Sequence, residues 1–219
     1  NGFIRILTNP EQTAVTEVML ALPSTLPALG VKVSTGRVVS FRARGNLCDD
    51  SSGSYPLVYP GNLQDGFVEW PRSIRKPQGF RLAAEDDHRL LMPSGCYVLV
   101  KRFSAKEERR RIVAGMWDPE RNSADQVAFE NHLNVFHRNG AGLDRDLAWG
   151  LCLWLNGSPV DNYFRTFSGH TQVNASDLRS MRWPDEATLR SLASMTDTLP
   201  EQAELDRLID QLLRRTEAA

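Results

Sequence analysis

Residues 89–117 read RLLMPSGCYVLVKRFSAKEERRRIVAGMW, and the fold class turns on this stretch. RLLMPSGCYVLVKRF and RRRIVAGMW are rich in β-branched and aromatic residues, the composition of strands rather than helices. Between them SAKEE carries charge and no large apolar group, so the pattern predicts strand, turn, strand. Working outward, VKVSTGRVVSFR, YPLVY, GFVEW and GFRLAA are short segments of the same kind, separated by Gly, Pro, Asn and Asp. VAFENHLNVFH, residues 127–137, adds one or two more strands. RGNLCDDSSGS, residues 44–54, reads as a mobile loop.

Helical spacing appears on both sides of this centre. Asn9 as cap, Pro10 at the first helical position and Gln12 three residues on predict a helix over 8–22, with Val15, Val18, Met19 and Leu22 as its apolar face. Beyond Gly142, Leu147, Leu151, Trp154 and Leu155 mark a helix that ends at Asn156-Gly157, and Ser158 caps the next. A helix near 185–194 follows. The last has Thr198 and Glu201 as a capping box and Leu205, Leu208, Ile209 and Leu212 as its stripe. Trp117, Trp149 and Trp154 are assigned to core, whereas Trp70 and Trp183, beside prolines, are candidate surface platforms. The expected class is α+β: a central antiparallel or mixed sheet flanked by helices, with a C-terminal helical segment.

Composition narrows the function. The 219 residues carry 26 Lys and Arg against 27 Asp and Glu, a net charge of −1, so an affinity for polyanions has to come from local clusters. No apolar run is long enough to span a bilayer and no signal pattern opens the chain, which points to a cytoplasmic protein without membrane partners. Cys48, Cys96 and Cys152 share no pairing motif and read as reduced thiols. An opening at Asn1 rather than methionine points to a piece of a longer protein. Motifs for a nucleophile elbow, a phosphate-binding loop or a dinucleotide fold are missing. His132 and His137 lack the i,i+4 spacing of a helical zinc site, and no Cys-x-x-Cys assists them. No catalytic residue and no metal ligand is therefore assigned.

Binding signals remain. The turn at 100–111 gathers Lys101, Arg102, Lys106, Arg109, Arg110 and Arg111 around only Glu107 and Glu108, and Ser104 with Glu107 can close a capping box there. Arg72, Arg75 and Lys76 punctuate a proline-bracketed loop within 70–81 that holds no acid, and Arg37, Arg42 and Arg44 follow a glycine turn. Segregated cations of this kind fit a phosphate-facing surface, although a solvated, salt-laced turn accounts equally for any single run. The stretch 169–184, GHTQVNASDLRSMRWP, offers His170, Thr171, Gln172 and Asn174, side chains able to read base edges. Alternatively Asn174 or Ser176 caps a short helix and the neighbouring polar groups satisfy loop backbone. Both readings stand on the sequence.

VSTGRVVSFR, LMPSGCYVLVKRFSAKEERRRIVAG, AFENHLNVFH and NGSPVDNYFRTFSGHTQVNASDLRSMRWP together resemble the C-terminal half of bacterial N6-adenine DNA methyltransferases of type II restriction–modification systems. That half holds the target recognition domain. The four blocks occur in order over about residues 30–185, and the last is also similar, more loosely, to recognition domains of type I specificity subunits. The resemblance implies a module that reads double-stranded DNA over 31–184, with a leading helix and linker in 1–30 and C-terminal helices in 185–219. Lys101, Arg102, Lys106, Arg109, Arg110, Arg111, Arg72, Arg75 and Lys76 would contact phosphates; Arg37, His170, Thr171, Gln172 and Asn174 would lie near the bases. The family's catalytic half binds S-adenosylmethionine beside an Asn-Pro-Pro-Tyr-type tetrapeptide, and TNPEQ lacks its second proline and its aromatic ring. This stretch alone would then bind no cofactor and methylate nothing, its partners being DNA and a catalytic domain of the same polypeptide. The competing readings are a nuclease or specificity subunit of a restriction system, and a protein-interaction module.

Overall fold

The computed structural model describes residues 10–49, 53–104, 107–168 and 171–217. In chain order they form α1 (Pro10–Ala21), β1 (Lys32–Thr35), β2 (Leu47–Cys48), β3 (Tyr55–Val58), β4 (Leu63–Gln64), β5 (Phe67–Val68), β6 (Gly79–Phe80), β7 (Leu91–Pro93), β8 (Tyr97–Lys101), β9 (Ala114–Trp117), α2 (Pro119–Asn122), β10 (Gln126–Phe129), β11 (Leu133–His137), α3 (Arg145–Leu155), α4 (Ser158–Phe167), α5 (Ala175–Ser180), α6 (Glu186–Ala193) and α7 (Gln202–Glu217). The class is α+β, and no described helix is long and apolar enough to cross a membrane.

Strand β8 is the hinge of the architecture. Successive side chains of a strand point to opposite faces, and all of Tyr97–Val100 are buried. Tyr97 and Leu99 pack with Trp117, Val127, Phe129, Leu133 and Val135, while Val98 and Val100 pack with Met116, Phe136 and the helices. A strand apolar on both faces must lie between two layers. Among the described residues, the six-stranded sheet β1-β11-β8-β9-β5-β4 is indeed sandwiched between the helices and a five-stranded sheet, β2-β6-β3-β10-β7. Most pairings are antiparallel; β5 with β9 and β3 with β10 are parallel.

Several local expectations need correction. Residues 44–48, expected as loop, form one 3-10 turn and β2, which pairs with β6. On α1 the buried positions include Thr16 and Met19, with Leu22 buried just past its end, whereas Val18 is exposed, because the helix turns its 15–19 face to the core. Asn9 lies outside the described residues. Asn156 does end α3, and its side chain accepts from Ala114 N and donates to Ala114 O, fixing the helix to β9. Gly157, not Ser158, is the N-cap of α4; the Ser158 amide is instead satisfied by Asp206 Oδ1 of α7 at 2.8 Å. Thr198 makes no capping box either, since α7 begins from the Glu201 carbonyl and Thr198 bonds Thr196. Trp183 is fully buried against Phe136 rather than a surface platform. The stripe of α7 and the core placement of Trp117, Trp149 and Trp154 agree with the sequence reading.

Strand directions place the connections. Lys101 of β8 pairs with Leu133, and Thr35 of β1 pairs with Asn134. The hairpin turn 102–113, the 36–43 segment and the 130–132 connection therefore leave the six-stranded sheet from one end. Strand β5 runs parallel to β9, so the loop after Val68 leaves from the other end, beside Trp117 and α2.

Candidate functional site

The outgoing limb of the hairpin, Arg102 to Ser104, is extended by residues 171–173. Phe103 bridges Gln172, Ser104 N donates to Thr171 O and Val173 N donates to Arg102 O. From beneath, the buried Asn134 donates Nδ2 to Val173 O at 2.7 Å. Val173 is itself fully buried, so the polar finger is bolted to the end of the sheet. Thr171 is exposed and Gln172 half-buried, with Gln172 Oε1 3.4 Å from Arg102 Nη2. Arg102 also donates to Asn131 O, and its guanidinium lies 5.6 Å from the Phe103 ring. Phe103 meets His132 edge-on at 4.8 Å. His132 Nδ1 and Ser40 Oγ both bind the buried Glu130 carboxylate. The outcome is one continuous surface of Thr171, Gln172, Arg102, Phe103, His132 and the Ser40 turn.

The structure divides the cationic cluster. Lys101, half-buried, and Arg102 sit at the finger, and Arg109 is exposed. Arg110 and Arg111, expected at phosphates, turn inward because the returning limb leans on the helices. Arg110 donates to Gln202 Oε1 and Gly157 O, and burial pushes its pKa down. Arg111 is 1% exposed and donates Nε to Ser104 Oγ. Its amide and that of Ile112 donate to Asp161 Oδ1 at 2.7 and 2.8 Å, while Asp161 Oδ2 pairs with Arg165 at 2.8 Å. Ser104 thus clamps the base of the turn by donating to Arg111 O, and the capping box expected between Ser104 and Glu107 runs through residues 105–106, outside the described residues. Lys106 lies outside the described residues.

The remaining candidates separate. Arg37 does not join the finger: it donates to Arg89 O and Leu91 O and lies against Gly140. Arg72 is held by Gly61 O, Gln64 Oε1 and Glu69, along the β4 edge, and Arg75 and Lys76 are exposed on the same loop, which departs from the opposite end. Asn174 is the N-cap of α5, its amide and Nδ2 both donating to Asp177 Oδ2, so the capping role holds for this residue. His170 is outside the described residues. Sequence reasoning missed Phe41, Phe103, Asn131 and His132 as surface groups, and Asp161 as the anchor. The available signal for the phenylalanines was an aromatic ring inside an arginine-rich run, KRFSAK and SFRAR.

No family model matches the chain. It is 42% identical over 214 residues to the type II methyltransferase M.PstI of Providencia stuartii, covering 97% of this chain and 42% of that protein. With the type II methyltransferase M.BsuBI of Bacillus subtilis it shares 43% identity over 215 residues, 96% of this chain and 42% of the relative. Type II methyltransferases are its homologues. The chain spans less than half the length of these relatives. Among solved structures, the type IIG restriction endonuclease BpuSI has a similar fold, with a TM-score of 0.61 at 10% identity over 93% of this chain and 31% of that one.

Proposed function

We propose that this chain is the DNA-reading module of a restriction–modification methyltransferase. It selects the sequence within a duplex, while a catalytic domain elsewhere in the polypeptide transfers a methyl group from S-adenosylmethionine to adenine N6. The homologues support the methyltransferase setting. The observation that carries the reading role is the pairing of residues 171–173 with the hairpin limb 102–104, which presents amide, hydroxyl and guanidinium groups from a rigid support. Arg102, Lys101 and Arg109 supply phosphate contacts, and Thr171 and Gln172 face base edges. Phosphate contacts fix register and contribute salt-dependent affinity; base contacts give choice. The reading surface falls within residues 31–184, and α1, α6 and α7 back it through the shared core.

The test is selection of bound duplexes from a randomised pool, followed by titration of the selected duplex. Gln172→Ala should erase the preference at one base position, a loss of about 1–3 kcal/mol in discrimination, with little change in salt dependence. Retention of every base preference in the variant would reduce the finger to scaffold. Failure of the wild-type chain to bind any duplex at low salt would instead favour a protein-interaction module.

A further inference from the structure

Phe41 is 66% exposed, the most exposed large apolar side chain among the described residues. It sits at the tip of a tight turn in which the amides of Arg42 and Ala43 both donate to Val39 O. That turn is firmly seated. Val38 N donates to Phe129 O, Asn131 N to Val38 O, and Ser40 Oγ to Glu130 Oε1 at 3.1 Å. Gly36 lies so close beneath that an added Cβ would meet Glu130 O at 2.2 Å. A turn of this kind holds its tip still while leaving the ring uncovered. The Arg42 guanidinium lies 5.4 Å from the ring centroid, and Arg44 is exposed nearby. No acid occurs in residues 34–44, and the adjacent Glu130 carboxylate is buried and engaged by Ser40 and His132. The same Glu130–His132 contact leads to the second exposed ring, Phe103, 45% exposed beside Gln172.

We infer that Phe41 is an apolar wedge that enters a base step of bound duplex DNA, with Phe103 making a second stacking contact nearer the finger. The inference rests on the DNA-reading proposal. A wedge needs a hydrophobic body, a backing that does not yield, and cations beside it to hold the phosphates on either side of the opened step. Val39–Ala43, the Gly36 seat and Arg42 with Arg44 supply these in turn. Duplex DNA engages both within one turn: its phosphates meet the arginines and its base faces meet the ring.

The experiment compares the 219-residue chain on its selected duplex and on the same duplexes carrying one abasic site at successive positions. Opening a step costs unstacking, and an abasic site removes that cost, so the wild type should bind one abasic duplex roughly tenfold more tightly than the intact one. Phe41→Ala should lose that preference and weaken binding to the intact duplex roughly tenfold, without altering the salt slope, because no charge is removed. Phe41→Leu, still apolar, should keep part of both effects, and Phe103→Ala should give a smaller loss. The side chain is exposed, so thermal unfolding of the variants should match the wild type. Normal affinity and an intact abasic preference in Phe41→Ala would overturn the wedge while leaving the reading module in place. Absence of duplex binding by the wild type would remove both.

Discussion

The two ends of the six-stranded sheet carry similar cations in sequence and treat them differently in space. At the hairpin end, Arg111 is buried and Arg110 half-buried, and they fasten the turn to α4 and α7; Lys101 and Arg102 are half-buried at the finger and Arg109 is exposed. At the other end Arg72 is spent on Gly61 O, Gln64 and Glu69, and no finger lies beside it. An arginine's meaning thus depends on where its partners in the same chain hold it: Asn131 O and Gln172 hold Arg102 at the finger, whereas Gly61 O and Gln64 hold Arg72 on the β4 edge. The hairpin end invests two arginine positions in rigidity, and the others are then displayed from a fixed base.

The largest effect that would break this contrast comes from Asp161. One of its oxygens receives two buried amides of the hairpin, and the other receives Arg165. Asp161→Ala leaves those two buried amides without their acceptor and removes the ion pair with Arg165, and the expected loss is about 3–5 kcal/mol in denaturant unfolding. Asp161→Asn keeps an acceptor and should lose less. An alanine variant as stable as the wild type would mean that the hairpin is not anchored there. Next in size is Gly36→Ala, where backbone carbonyls at 2.2 and 2.7 Å leave no room for the new carbon. Overpacking of this sort costs about 1–3 kcal/mol, and the loss should appear as a lowered unfolding midpoint together with weakened duplex binding.

A paired measurement then sharpens the two ends against each other. Arg109→Ala should leave stability within about 0.5 kcal/mol and reduce the salt slope of duplex binding by about 1. Arg72→Ala should leave the slope unchanged, since its guanidinium already serves the β4 edge. Equal slope changes from both variants would show that DNA reaches both ends of the sheet.

Much of the fold was legible because it is written in periodicities. The strand–turn–strand around β8 and β9, the α3 and α7 stripes and the Pro and Gly punctuation survive in the structure as read. The misreadings share a cause: they concern groups whose partners lie far along the chain. Asp206 satisfies the Ser158 amide across 48 positions, and Asp161 takes the Arg111 amide across 50. No local pattern announces either bond, so Ser158 read as a cap and Arg111 read as a phosphate ligand. The site was half legible for the same reason. Thr171, Gln172 and Arg102 do converge, but the strand pairing that joins them spans some seventy residues. A charge run identifies cations; only the fold tells which of them are free.

The smallest expected effect concerns the far end of β11, where Arg37 was expected to read bases. His137 is 8% exposed; its Nδ1 accepts from Gly140 N at 2.9 Å, which places the ring proton on Nε2, facing Ser34 Oγ at 3.0 Å. Burial, with Arg37 and Lys32 nearby, holds its pKa below the ordinary histidine value of 6.5. Protonation would cost the Gly140 bond and add a charge beside two cations. The unfolded chain therefore binds the proton more readily than the folded one in the interval between the two pKa values. Stability attributable to His137 is complete above about pH 6.5 and falls as the pH drops through that interval toward the folded value. His137→Gln should flatten this part of the stability profile from pH 7 to 5, measured by thermal unfolding, by about 1 kcal/mol or less. If Arg37 instead swings out to meet DNA, duplex binding should relieve one of the two repulsions and raise the His137 pKa, which imidazole proton NMR of the complex reads directly. An unmoved resonance keeps Arg37 where its two carbonyl partners hold it, as a brace for the second sheet rather than a reader.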